Sequence, residues 1–452
     1  MTPRLMEGRT LVVGLGASGI AAARLLLERG ARVIVNDRRA RSELEAVAAS
    51  LEAAGAQLEL GHHDPELFTS VDRVVVSPGV PPLEALEAAE AAGIPVLSEI
   101  ELAAAFIEGT IVAITGTNGK STVTTLLGEI CARSGRPTFV GGNLGTPLVE
   151  VVGQPAAAPD GFVVVELSSF QLERVFAFRP HLAIFLNLSE DHLDRYRSYG
   201  EYVAAKARIF RAQRREDFAI VPSGDALLES LAAAGAAEIH RYGGAEGEVR
   251  VQQGCVQDER SGLRLEAAEL RLAGGHNLEN ACAAALGARL LGIAREPIEA
   301  VLRSFPGLPH RMAHLRDLGG VRYYDDSKAT NVGAAVAALE GLGEAAGVVL
   351  IAGGRDKGGS YEPLREAFAR RGRGAVLIGE AAERLEAALS PCGLPLRRAA
   401  SMEQAVSLAR TLAQPGDAVV LAPACSSYDM YRSFIERGEA FSEAVRALPE
   451  VL

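Results

Sequence analysis

Residues 111–127 read "IVAITGTNGKSTVTTLL": an apolar run, then Gly116, Thr117, Asn118, Gly119, Lys120, Ser121 and Thr122, then a helical pattern. A strand that turns through glycines into a helix can wrap backbone N–H groups around phosphates, and the helix N-terminus adds its positive dipole. Lys120 would bridge the outer phosphates and Ser121 would ligate Mg²⁺. The spacing departs from G-x-x-x-x-G-K-[ST], because position 114 is Ile. Strand, loop and helix are nonetheless all in place, so the loop points to ATP or GTP. It is silent on the reaction.

Outward from this loop, short Val- and Ile-rich runs alternate with Ala-, Leu- and Glu-rich helical stretches, the pattern of βαβ units around parallel sheets. The pattern restarts twice. A first series holds "TLVVGL", "ARVIVND" and "DRVVVSPG" and fades after "GIPVLSEIELAAAF"; a second holds "TIVAITG", "GFVVVELSS" and "HLAIFLNLS"; a third holds "VRYYDDS", "GVVLIAGG", "GAVLIG" and "DAVVLAPA". Three α/β domains are expected, over residues 1–98, 99–307 and 308–452. The stretch from about 235 to 272 reads as an antiparallel β excursion within the second.

The composition narrows the class. Five scattered cysteines (Cys131, Cys255, Cys282, Cys392, Cys425), without a C-x-x-C, argue against a disulfide framework or a zinc site and fit a reducing cytoplasm. No signal pattern opens the chain, and no apolar run approaches the roughly 18 residues of a membrane span. A net charge of −11 makes nucleic acid an unsuitable main partner. The 46 basic residues include only four lysines, Lys120, Lys206, Lys328 and Lys357, so 42 are arginines. Where positive charge alone is needed Arg serves here; the surviving lysines mark positions that need a compact ammonium or a primary amine.

Around the loop, further residues fall where a parallel sheet presents binding groups, at the carboxyl ends of strands. Glu166 ends the strand of "VVVELSSFQLE", and Asp191, His192 and Asp194 follow the strand of "IFLNLSEDHLDRY". A carboxylate and an imidazole on neighbouring strand ends can hold Mg²⁺ directly or through water. Lys328 in "YYDDSKATN" and Lys357 in "AGGRDKGGSY" also follow strands, and Lys206 lies in the helical "EYVAAKARIF".

These motifs, with "GGHNLENACAA", "LPHR" and "PACSSYDMYRSFIERG" in the same order, resemble the Mur ligases of peptidoglycan synthesis over essentially the whole chain. "ELSSFQLE" and "PACSSYDMYRSF" are more selective for the D-glutamate-adding branch, and the "DNPR" of the diaminopimelate- and lysine-adding branches is missing. The resemblance implies a Rossmann-like UDP-binding domain, a central P-loop-type ATPase domain with a mostly parallel sheet, and a Rossmann-like C-terminal domain that takes the amino acid. The implied reaction is ATP-driven amide formation between UDP-N-acetylmuramoyl-L-alanine and D-glutamate through an acyl phosphate, by a cytoplasmic monomer.

Carried onto this sequence, the resemblance puts Gly116–Thr122, Asn280, Arg311 and Asp326 on ATP, with Arg311 at the γ-phosphate. One Mg²⁺ would use Ser121 and Glu166, a second His192 and a carbamylated Lys206. Asn143, Ser168, Gln171 and His192 would position the muramoyl portion. Lys328, Thr330, Lys357, Ser427, Tyr428 and Phe434 would surround D-glutamate. Asp325 and Tyr428 depart from the familiar Asn and Leu and border that site.

The first series opens with Gly14, Gly16 and Gly19 in G-x-G-x-x-G, followed by Asp37, which together also make a dinucleotide fingerprint. An NAD-dependent oxidoreductase would leave the second glycine loop, the lysines and the third series without a role. The resemblance instead implies that the diphosphate is that of UDP, held by Ala17 and Ser18, Asp37 and Arg38, and Ser77 and Gly79. A sibling ligase with another acceptor, and a binding protein that hydrolyses ATP without forming a bond, remain the alternatives.

Overall fold

A computed structural model describes residues 6–193, 195–271, 275–343 and 345–450. The near-continuous apolar runs become buried parallel strands, because helices cover both faces of each sheet. Three sheets result. The first is wholly parallel, in spatial order Gln57–Leu60, Arg32–Asp37, Arg9–Val13, Arg73–Val76, Val96–Ser98. Its order reverses between Arg9–Val13 and Arg73–Val76, and the crevice beyond those strand ends is where open α/β sheets bind ligands.

The central sheet has nine strands. In spatial order they are Leu263–Glu266, Cys255–Asp258, Val249–Gln252, Glu238–Tyr242, Phe218–Pro222, Leu182–Phe185, Thr110–Thr115, Phe162–Glu166 and Thr138–Gly142. The expected antiparallel excursion starts later than the sequence suggests. Glu238–Tyr242 pairs parallel with Phe218–Pro222, because the helix Ala226–Ala233 between them makes a crossover. Antiparallel pairing joins only Val249–Gln252, Cys255–Asp258 and Leu263–Glu266, and the first of these hairpins turns at Gln253 and Gly254, both at positive φ.

The third sheet runs Ala313–Leu318, Val321–Asp325, Ala418–Leu421, Val348–Gly353, Gly372–Ile378, Leu396–Arg398; only the first pair is antiparallel. Apolar clusters lie on both faces of every sheet. One cluster crosses between sheets: Ala21 and Leu25 of the helix Ala17–Glu28 pack with Ile100 and Ala103 and with the central residues Leu148 and Val149. That contact fixes the first sheet against the second.

Candidate active site

All four lysines line a single cavity of 680 Å³. Its wall combines the central sheet's carboxyl edge (Thr117–Ser121, Asn143, Glu166, Ser168, Asp191, His192, Lys206) with that of the third sheet (Lys328, Thr330, Lys357, Ser427, Tyr428, Phe434), and Arg311 lies between them. A second cavity of 520 Å³ shares Asn118, Gly119, Arg311 and Lys328 and is closed by Tyr242, His276, Asn277, Asn280, Asp326 and Ala337.

The glycine loop is built on two close approaches, the first at Gly116, where a Cβ would lie 3.0 Å from Leu186 Cβ, and the second at Gly119. Gly119, at φ +84°, caps the helix Lys120–Arg133, and a Cβ there would press on the Asn280 amide oxygen. Side-chain space is missing because the loop backbone touches the neighbouring helix. Lys120 Nζ donates to the Gly116 and Thr117 carbonyls at 2.9 and 2.7 Å, curling back over the loop. Ser121 Oγ donates to Glu166 Oε2 and accepts from Arg311 Nη2 at 2.6 Å, while Asn143 Nδ2 donates to Glu166 Oε1 at 2.7 Å. Burial pushes the Glu166 carboxyl up, but the Lys120 ammonium, the Ser121 and Asn143 hydrogen bonds and Arg311 hold it below the usual carboxylate range. It is an anion surrounded by donors.

Lys206 is a different case. It projects from the helix Tyr199–Ala207, is 2 % exposed, donates to the Gly116 carbonyl at 2.7 Å and lies 5.0 Å from the Tyr202 ring centroid. Burial, reinforced by the Lys120 charge, pushes its amine well below the ordinary lysine value. Its hydrogen-bond partners among the described residues are the Gly116 carbonyl and the Thr115 hydroxyl, not a carboxylate. A neutral, nucleophilic amine is the form this environment favours.

His192 takes φ +57°, an uncommon conformation for a residue with a side chain. The Asp191 carboxylate accepts from the His192 N–H at 2.9 Å, and the Phe170 ring meets the imidazole edge-on at 4.8 Å. Asp191 also accepts from Lys357 Nζ at 3.0 Å and from Asn331 Nδ2 at 3.2 Å, so it reaches the third sheet. Asp194 lies outside the described residues. Lys328 sits over the Phe434 ring at 4.1 Å, and burial lowers its ammonium to about 8.

Two expected neighbours point elsewhere. Gln171 spends its side-chain oxygen on the Ser168 N–H and hydroxyl, closing a capping box, and does not line the cavity. Asp325 is buried, accepting from Ser327 N at 2.9 Å and meeting His310 Nδ1 at 2.6 Å, so it puts no charge into the cavity. The sequence pointed only to Asn280 in "GGHNLEN", yet His276 and Asn277 line the smaller cavity as well, and His276 Nδ1 is buried without a hydrogen-bond partner among the described residues. The one-turn spacing of Asn277 and Asn280 was the available signal.

At the first sheet, Gly14 takes φ +86°, and a Cβ on Gly19 would collide with the Gly14 carbonyl, so helix and strand meet backbone to backbone. Ala17 and Ser18 open the helix above this turn, Ser77 lies against Gly14 across the switch point, and Gly79 follows two residues on with open space around it. Arg38 is exposed. Asp37 accepts from Leu15 N at 2.7 Å and from Arg39 Nη2 at 2.7 Å. Burial opposes its ionisation, but the Arg39 and backbone hydrogen bonds hold it at about 2. Asp37 thus braces the turn.

Mg²⁺ prefers oxygen ligands, one or two carboxylates together with phosphate oxygens. Ser121 and Glu166 fit that demand. His192 and Lys206 fit a second ion only when the amine carries a carboxylate, since an amine alone is a poor partner for a hard cation. No group of three His, Cys, Asp or Glu side chains forms a metal cluster among the described residues. Among those residues no helix is long and apolar enough to cross a membrane.

A glycine loop facing a carboxylate, an imidazole and four lysines across two α/β sheets defines a nucleotide-dependent enzyme of the three-domain ligase type. The chain belongs to the Mur ligase family: it matches the Mur ligase MurD-like N-terminal domain over residues 8–98, the Mur ligase middle domain over 114–288, and the Mur ligase glutamate ligase domain over 310–425. It is 48 % identical over 451 residues to the UDP-N-acetylmuramoylalanine--D-glutamate ligase of Geotalea daltonii, covering 97 % of each chain. It is 47 % identical over 450 residues to the enzyme of that name from Pelobacter propionicus, covering 98 % of this chain and 100 % of the other. Solved structures share the fold at lower identity. A pseudomurein peptide ligase type C from Methanothermus fervidus has TM-score 0.62 at 19 % identity, covering 97 % and 99 % of the two chains, and MurF from Acinetobacter baumannii has 0.60 at 20 %, covering 96 % and 93 %.

Proposed function

We propose that this chain is an ATP-dependent ligase that adds D-glutamate to UDP-N-acetylmuramoyl-L-alanine in peptidoglycan precursor synthesis, in the cytoplasm, as a monomer. The observation that carries the reading is the meeting of the phosphate loop and all four lysines in one cavity between two sheets. The proposed division of labour is residues 1–98 for the sugar nucleotide, 99–307 for ATP and 308–452 for the amino acid.

The adenosine of ATP occupies the smaller cavity near Asn280 and Asp326, leaving its phosphates on Gly116–Thr122. Arg311, already bonded to Ser121, reaches the γ-phosphate. Ser121 and Glu166 would hold one Mg²⁺, and His192 with a carbamylated Lys206 a second; such ions would supply charge neutralisation on phosphate oxygens. The carboxylate of the L-alanyl substrate, positioned by Asn143, Ser168 and His192, attacks the γ-phosphorus and ADP leaves. Two anions approach each other in that step, which is why cations crowd the cavity. D-Glutamate lies against Lys328, Thr330, Lys357, Ser427, Tyr428 and Phe434. Its amine attacks the acyl carbon of the acyl phosphate, phosphate departs with the bonding pair, and the amine's surplus proton is lost.

The test is ADP release with ATP, Mg²⁺, UDP-N-acetylmuramoyl-L-alanine and a panel of amino acids. Release dependent on D-glutamate is expected. Release with L-lysine or diaminopimelate and none with D-glutamate would place the chain with a sibling acceptor.

A further inference from the structure

The loop that carries His192 also grips the first sheet's nucleotide crevice. Arg195 Nη1 donates to the Val80 carbonyl at 3.1 Å. Val80 closes the turn that starts at Ser77, its N–H bonding the Ser77 carbonyl, and its side chain fills the space beside Gly14. The carbonyl that Arg195 holds therefore belongs to the turn that abuts the diphosphate-type glycine turn.

On its other side the Arg195 guanidinium carbon lies over the Phe170 ring, 4.1 Å from its centroid, and the same ring meets the His192 imidazole at 4.8 Å. Glu173 fixes the guanidinium from behind: its Oε2 accepts from Arg195 Nη2 at 3.1 Å and its Oε1 from the Tyr196 hydroxyl at 2.7 Å. Val80, Arg195, Phe170 and His192 thus form a continuous contact path from the first sheet to the cavity. A planar guanidinium suits this place, since it donates to Val80 and Glu173 at its edge while its charge lies over the ring, whereas the single nitrogen of an ammonium cannot reach all three partners at once.

We propose that Arg195 is a positioning residue that couples occupancy of the Gly14–Ser77 crevice by a nucleoside diphosphate to the placement of His192 at the Mg²⁺·ATP site. A ligand that orders the Ser77–Val80 turn fixes the Val80 carbonyl, and Arg195 with Phe170 then holds the imidazole. This rests on the ligase reading above. By linkage the effect is reciprocal: Mg²⁺ with nucleotide tightens the sugar nucleotide by the same factor.

The test measures the Kd of UDP-N-acetylmuramoyl-L-alanine by calorimetry, with and without Mg²⁺ and a non-hydrolysable ATP analogue, in wild type, Arg195→Gln, Arg195→Lys and Phe170→Leu. Coupling between sites usually spans about 5- to 150-fold, and we expect the wild-type factor in that range to fall below about twofold in all three variants. Affinity for the ATP analogue alone stays at the wild-type value. Arg195→Lys tests the stack specifically, because it keeps the charge and folds with the least disturbance. An unchanged coupling factor in the variants, or no coupling in wild type, overturns the inference. Failure of wild type to bind the sugar nucleotide at all is read separately and removes the ligase reading itself.

Discussion

Lys357 Nζ lies 3.0 Å from Asp191 Oδ1, joining the loop after strand Val348–Gly353 to the loop after strand Leu182–Phe185. Asn331 adds hydrogen bonds to Asp191 and Asn118, so four side chains, two from each side, clasp the third sheet to the second beside the cavity. At this partial burial the ion pair is worth about 1–2 kcal/mol, or roughly tenfold in the ratio of closed to open forms. Asp191→Asn should therefore open the unliganded cleft. Small-angle scattering is expected to give a larger radius of gyration than wild type, with the difference disappearing when ATP analogue and substrates bind; superimposable unliganded curves would refute the clasp.

Lys206 is buried without an anionic partner among the described residues, and its amine is pushed far down by burial. A neutral amine adds to the carbon of CO₂ and loses one N–H proton to solvent, and the product is a carbamate anion beside Lys120. Lys206→Ala should lower kcat by about 10- to 100-fold, the usual cost of losing a group that supports a metal site, and short carboxylates should restore part of it. Lys206→Arg should not be rescued, because the guanidinium refills the space. A carbamate ¹³C signal in wild type that persists in Lys206→Ala would assign the carbamate elsewhere.

The strands legible in the sequence are those buried on both faces, such as Phe162–Glu166 and Val348–Gly353, where no polar residue interrupts the run. Edge strands were not legible: Gln57–Leu60 and Leu396–Arg398 are half-exposed and polar, and Thr138–Gly142 ends in glycines. Scarcity revealed the lysines, because in an arginine-rich chain each retained amine carries information. Contacts between sheets left no such trace. Asp191 and Lys357 are 166 residues apart and Val80 and Arg195 are 115 apart, and only packing of whole domains brings them together. The Asp325 departure was visible, but its partner His310 was not, since the imidazole arrives on a turn at φ +59°.

Glu99 is buried where the first sheet meets the second; its Oε1 accepts from Val149 N at 2.6 Å while Oε2 has no hydrogen-bond partner among the described residues. Burial pushes its carboxyl from the ordinary 4.5 up to about 7, the Val149 hydrogen bond opposing and Glu150 assisting. An acid held above its unfolded value binds its proton more tightly when folded. Its contribution is complete below about pH 4.5 and is lost as pH rises through 7, at most about 3 kcal/mol. Thermal melts should show Tm falling from pH 5.5 to pH 8, with Glu99→Gln flattening that part of the profile. An equal fall in Glu99→Gln would assign the pH dependence to other groups.

Gly438 stands in the helix Phe434–Ala447 directly against the His310–Asp325 pair: a Cβ there would run into the His310 ring and lie 2.9 Å from Asp325 Oδ2. Neither partner has room to yield. His310 is at φ +59° and Met312 at +49°, on either side of Arg311, and the His310 carbonyl accepts from Lys328 N at 3.1 Å. Displacing His310 therefore moves both Arg311, which reaches the phosphate loop, and Lys328, which faces the amino acid. Gly438→Ala should lower stability by about 1–3 kcal/mol, the usual cost of an overpacked site, and reduce kcat in addition, whereas the neighbouring exposed Glu439→Ala should change neither. Melting temperature and steady-state rates measured on the same preparations separate the two effects. A variant that loses stability but keeps the wild-type kcat when fully folded would show that His310 does not hold Arg311 in place.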